Sequence, residues 1–110
     1  MEGNYFSTHF SPEEKNPVVE SFVTKFRAKY GETPDSMAAL GYDSLMILAD
    51  AIKRCGTTEG SKVREAIATT RDFQGLTGKI TVDEKRNVSK AAVIVTIKNG
   101  KYQFVETIAP

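Results

Sequence analysis

One hundred and ten residues suffice for one small domain with a single modest core and are too few for two. Fifteen Lys and Arg stand against fourteen Asp and Glu, a net charge of +1 with the signs interspersed, which excludes a basic nucleic-acid footprint and an acidic solvating tail. Hydrophobic residues make up 40%, Gly and Pro number only eight and four, and no low-complexity tract occurs, so the chain is expected to be globular rather than disordered.

Asn4 to Phe10 is aromatic and β-branched and reads as a short strand that ends at Ser11-Pro12. Two helix starts follow. Ser11-Pro12-Glu13-Glu14 has capping-box spacing, and Asn16-Pro17 offers a cap with proline at the first helical position. Val18, Phe22, Phe26 and Tyr30 then recur every four residues, flanked by Val19 and Val23, which predicts one broad apolar helix face. Gly31 stops this helix and Pro34 prevents its resumption. Asp35 or Ser36 caps a second helix that runs to about Cys55. Its first half is apolar almost all round, which predicts packing on several sides. A third helix, Ser61 to Thr70, carries Val63, Ala66 and Ile67 as one buried stripe.

The period then changes. Lys79 to Val82 alternates, Asp83 to Asn87 is a charged turn, and Val93 to Ile97 is a β-branched run. Asn99-Gly100 signals a hairpin that returns through Lys101 to Thr107. One strand, three helices and three closing strands make an α/β or α+β arrangement, without the strict alternation of a complete doubly wound domain. The longest apolar stretch, Met37 to Ala49, is broken by Gly41, Asp43 and Ser44 and falls short of the roughly twenty residues of a membrane span. No charged segment followed by an apolar run marks a secretory signal in this chain.

No nucleophile, phosphate or metal constellation stands out. Gly75-Leu76-Thr77-Gly78 lacks the Lys-Ser/Thr of a phosphate loop and reads as a tight turn. The single cysteine, Cys55, excludes an internal disulfide and reads as an inert thiol, since reactivity needs an activating neighbourhood. His9 is the only histidine and, beside aromatics at a strand end, reads first as structural. The aromatics Tyr5, Phe6, Phe10, Phe22, Phe26 and Tyr30 read as core by their spacing. Asp43 lies in the apolar half of a helix and must be hydrogen-bonded, most simply to a backbone amide or an arginine. Met37, at the start of that helix, faces either the core or the mouth of a cleft beside the helix N-terminus, a favourable place for a carboxylate.

The order of these features is specific in combination. Glu2-Gly3-Asn4-Tyr5-Phe6, Lys29-Tyr30-Gly31, Pro34-Asp35, Ala38 to Leu45 and Phe73 to Asp83 together resemble the C-terminal third of the type I periplasmic binding proteins that serve branched-chain amino acid ABC transporters. The resemblance covers nearly the whole chain. It implies an α/β fold, a partial lobe of a two-lobed clamshell with three helices, a short N-terminal strand and a C-terminal strand and hairpin. Residues 1–10 would be a crossing strand between lobes, 11–82 part of the first lobe, and 83–110 the closing strand and hairpin. It further implies a periplasmic receptor, not an enzyme and without a cofactor. Such a receptor hands an amino acid or similar small ligand to a membrane permease, with no nucleic-acid partner.

In that scheme the large side chain after the Pro-Asp turn, here Met37 in place of a commoner aromatic, packs on the ligand's apolar part. Tyr42 and Asp43 match the family's Tyr-Asp pair, expected to serve helix packing first and the cleft second. With His9 at the end of the crossing strand, they complete the candidate ligand-binding set of Met37, Tyr42, Asp43 and His9. Arg86-Asn87 stands where a glycine often closes the turn. The first two-thirds of such a receptor is missing, so the chain is expected to be a fragment. It should then form a homo-oligomer that covers Val18, Phe22 and Phe26 or the Val93 to Ile97 strand. Two other readings compete: a ligand-sensing regulatory domain of the same fold, and a small independent α/β enzyme in which His9, Asp43 and Cys55 converge.

Overall fold

The structure, a computed structural model, describes residues 2–110. Strand β1 (Tyr5–Thr8) is followed by helices α1 (Pro17–Tyr30), α2 (Ser36–Cys55) and α3 (Gly60–Ala68), and then by β2 (Phe73–Gly75), β3 (Gly78–Val82), β4 (Val88–Ser89), β5 (Ala92–Lys98) and β6 (Lys101–Ile108). The strands form two antiparallel three-stranded sheets, ordered β1-β5-β6 and β2-β3-β4. The α/β class holds. The five closing strands exceed the three expected because β2 and β4, three and two residues long, are too short to show alternation.

Local chemistry sets the helix ends. Asn16, the second of the two possible caps, begins α1 by accepting from the Val18 amide at 2.9 Å, and Pro17 takes the first helical position. Asp35 rather than Ser36 caps α2, accepting from the Ala38 amide at 2.9 Å. Both helices stop at a glycine in the left-handed conformation, Gly31 and Gly56. Helix α3 ends two residues early. Beyond it the buried Thr70 hydroxyl takes a hydrogen bond from Arg54, which also donates to the Ala66 carbonyl and so ties the end of α2 to α3.

The core lies where α1, α2 and the β2–β3 turn meet, with Phe10, Val19, Val23, Ala39 and Leu76 buried together. This corrects two expectations. β1 ends at Thr8 because the chain bends at His9 and Phe10 drops into the helical core, edge-on to Phe22 at 6.3 Å. On α1 it is Val19 and Val23 that are buried. The stripe of Val18, Phe22, Phe26 and Tyr30 runs along the margin, and Tyr30 and Tyr5 are well exposed rather than core. Phe22, Phe26 and Tyr42 line an open groove there, with the Phe22 and Tyr42 rings 5.0 Å apart. Along α2, Tyr42, Leu45, Met46 and Leu48 also face outward.

The expectation of an uncovered Val93 to Ile97 strand is likewise corrected. β5 is the central strand of its sheet, paired on one edge with β1 and on the other with β6, and Val93 and Val95 are buried. The outer edges of that sheet belong to β1 and β6. The Cα radius of gyration is 15.7 Å, against roughly 13 Å for a self-contained domain of this length. An elongated body with apolar helix faces turned outward is the shape of a unit that packs against something else.

Two turns fix what surrounds the site. Asn99 and Gly100 both take positive φ (53° and 73°), the two-residue hairpin turn that asparagine and glycine favour. Glu2 grips this turn by accepting from the Asn99 and Gly100 amides at 3.1 and 2.6 Å. In the charged turn Asp83 accepts from the Lys85 and Asn87 amides while Arg86 takes φ 67°, so an arginine occupies a conformation that suits glycine.

Candidate functional site

A cavity of about 570 Å³ opens where the β1-β5-β6 sheet meets the N-terminus of α2. Its sheet side carries an apolar wall of Phe6, Val95 and Tyr102 beside Ser7 and Thr8, and the buried Phe10 also lines it. Facing it, α2 presents Asp35, Ser36 and Met37, and Met37 is 77% exposed. The Thr8 and Ser36 hydroxyls lie 3.0 Å apart and join the end of the strand to the start of the helix. Asp35 is the only carboxylate lining the cavity, and no lysine, arginine or histidine lines it among the described residues. One Asp35 oxygen caps Ala38. The amides at the first two helical positions, Ser36 and Met37, have no partner within a helix and point along its axis. An apolar wall, several hydroxyls and a helix N-terminus suit a small molecule with one greasy end and one polar end.

The four expected residues are not brought together. Met37 lines the cavity. His9 is exposed at the bend after β1 and does not line it. Tyr42 lies on the α1 side of α2 against Phe22, in the separate groove.

Asp43 is buried, 3% exposed, beneath the β2–β3 turn. Its carboxylate accepts from the Leu76 amide at 2.7 Å, the Thr77 amide at 2.9 Å and the Thr77 hydroxyl at 2.7 Å. This is the backbone-amide arrangement that an acid in an apolar helix requires. Gly75 is needed here for close approach, since a Cβ on it would stand 2.8 Å from an Asp43 oxygen. Lys90 reaches the Thr77 hydroxyl at 3.3 Å. Burial pushes its pKa below the ordinary value, and the Asp43 charge opposes that shift. Asp43 and Cys55 are twelve residues apart on one helix, roughly 18 Å along its axis, and His9 is exposed elsewhere, so these three do not converge on a reaction centre.

Thr8 and Tyr102 carry no functional mark in the sequence, where Phe6 reads as core and Ser36 as a possible helix cap. Only the hairpin register could have placed Tyr102, through its pairing with Ile97 opposite the β1 edge.

The small α/β unit thus sets a cleft between its helices and a set of antiparallel strands. The periplasmic binding protein family model matches residues 1–101, and the chain belongs to that family. Among solved structures, it is 42% identical to the leucine-binding protein LivK of Thermotoga maritima, with a TM-score of 0.86 over 99% of this chain and 31% of that one. The branched-chain amino acid substrate-binding protein LivJ of Streptococcus pneumoniae, solved with isoleucine, is 34% identical with a TM-score of 0.86, again over 99% of this chain and 31% of its own. An ABC transporter substrate-binding protein of Desulfitobacterium hafniense, complexed with leucine, is 26% identical with a TM-score of 0.87 over 94% and 31%. The chain thus spans about a third of the length of the structures it matches. No helix among the described residues is long and apolar enough to cross a membrane.

Proposed function

We propose that this chain is part of an extracytoplasmic receptor that binds a branched-chain or similar apolar amino acid and delivers it to the permease of an ABC importer. The observation that carries this reading is the 42% identity to a leucine-binding protein across 99% of the chain. The cavity beside Met37 fits it chemically. Met37 and the aromatic wall take the ligand's apolar side chain, and the Ser36 and Thr8 hydroxyls with the first amides of α2 take part of its polar end. Of the four candidate site residues Met37 alone makes direct contact. Tyr42 supports α2 from the α1 side, Asp43 holds the turn beneath it, and His9 stands outside the cavity.

The remaining polar partners come from the other lobe, whose closure over the ligand is the delivery signal in the intact receptor. Binding is the whole activity, and no bond is made or broken. Residues 1–10 act as the crossing strand, 11–82 as part of one lobe, and 83–110 as the closing strand and hairpin. Isothermal titration of the full-length receptor with L-leucine and L-isoleucine is expected to give one saturable site. The isolated 110-residue chain, offering half a cleft, is expected to bind no tighter than about millimolar. Failure of the full-length receptor to bind any amino acid would overturn this reading.

A further inference from the structure

We propose that Tyr102, on the closing hairpin, is a specificity-determining residue of this cavity and forms the wall against which the ligand's apolar side chain is measured. This rests on the receptor reading above and extends it to a residue in the last strand.

The position follows from register. The two-residue turn at Asn99-Gly100 pairs Lys98 with Lys101 and Ile97 with Tyr102. Phe6 on β1 pairs with Val95, two residues from Ile97 and therefore on the same face of β5. Phe6 and Tyr102 thus flank β5 on one side, and their rings meet edge-to-face at 6.4 Å and 82°. The irregularity in the β5–β6 ladder lies farther along, between Ile94 and Val95, so it leaves the Tyr102 pairing as the turn sets it. Glu2 grips the turn itself and the Gly3 amide donates to the Ile97 carbonyl at 3.1 Å, so the ring is held from a fixed platform.

Exposure supplies the second argument. Tyr102 is 70% exposed and Met37 is 77% exposed, yet both line the same cavity, one from the strands and one from the helix. An apolar group lodged against both side chains in that cavity is stabilised by leaving water. A longer ligand side chain covers more of both and a methyl group covers little, so the wall grades ligands by size. No acid or base is needed for that discrimination.

The test is isothermal titration of the full-length receptor and its Tyr102→Ala, Tyr102→Phe and Tyr102→Trp variants with L-leucine and L-alanine. Tyr102→Ala is expected to weaken leucine by about tenfold or more and alanine by less than about threefold, collapsing the leucine-to-alanine preference. Tyr102→Phe, which keeps the ring, is expected to match the parent. Tyr102→Trp, which keeps a ring and enlarges it, is expected to narrow the cavity and lower the preference for leucine. An unchanged leucine-to-alanine ratio in both the Ala and Trp variants of a receptor that binds leucine would overturn the role of Tyr102 alone. Absence of amino-acid binding by the parent would overturn the receptor reading and this proposal together.

Discussion

Removing the Asp43 carboxylate is the sharpest perturbation the structure offers. It accepts three hydrogen bonds of 2.7–2.9 Å from Leu76 and Thr77, whose side chains are themselves buried. In Asp43→Ala the two amides lose their acceptor in a place that water reaches poorly, and each stranded donor costs about 1–3 kcal/mol. Part of this is offset because a desolvated charge also disappears. The net loss is expected to be about 3–5 kcal/mol. Asp43→Asn should cost less, about 2 kcal/mol, because its amide oxygen still accepts while its NH₂ group faces a donor.

The close approach at Gly75 makes the argument reciprocal. Gly75→Ala sets a methyl 2.8 Å from one carboxylate oxygen and 3.0 Å from the other, so the carboxylate must shift and its hydrogen bonds lengthen. With Asp43 already truncated, Gly75→Ala should cost less by about 1 kcal/mol or more, so the double variant loses less than the sum of the two single changes. Urea denaturation of the protein reads the global change, and amide exchange at Leu76 and Thr77 reads the local one. An Asp43→Ala loss below about 1 kcal/mol, or strictly additive effects of the two changes, would refute the view that this carboxylate holds the turn to α2.

Two further outcomes are expected. Because burial lowers the Lys90 pKa, the folded state releases that proton below 10.5 while the unfolded chain still holds it. Stability should therefore rise with pH between the lowered value and 10.5. Lys90→Met should flatten that rise in alkaline denaturation curves, and an unchanged slope would show that Lys90 is solvated. The isolated 110-residue chain should self-associate through the Val18, Phe22, Phe26 and Tyr42 groove, whose rings stand open. Phe26→Glu should shift sedimentation velocity profiles toward monomer, whereas a parent chain that is monomeric at every concentration would rule the groove out as a contact.

The helices were legible because their signals are local. Asn16-Pro17, Asp35, Gly31 and Gly56 mark starts and stops through chemistry confined to a few residues, and all four act at those places. The hairpin was legible for the same reason, since Asn99-Gly100 needs no distant partner to turn the chain. Burial depends on distant neighbours and is less legible. The every-fourth-residue stripe on α1 predicts its core face, but Val19 and Val23 are inside and the stripe lies at the margin. Periodicity identifies an apolar face without saying which part of it a neighbour covers, and much of α2 faces outward as well.

The cavity is harder to foresee than the fold because it joins Phe6, Asp35–Met37 and the hairpin of Val95 and Tyr102, three segments tens of residues apart. Met37 could be suspected from its place at a helix start, where backbone amides and a projecting side chain coincide. Asp43 was conspicuous for being acidic among apolar neighbours, and the hydrogen bonds it makes answer that cost. Tyr102 carried no such mark, being an ordinary aromatic in a strand. Its place follows only when three facts are multiplied together: a two-residue turn fixes its partner as Ile97, alternation puts Ile97 on the face of Val95, and antiparallel pairing sets Val95 opposite Phe6. Each step is local physics, but the product is a contact between residue 6 and residue 102. A one-residue slip in the hairpin would replace the ring with Gln103 and exchange an apolar wall for a polar one.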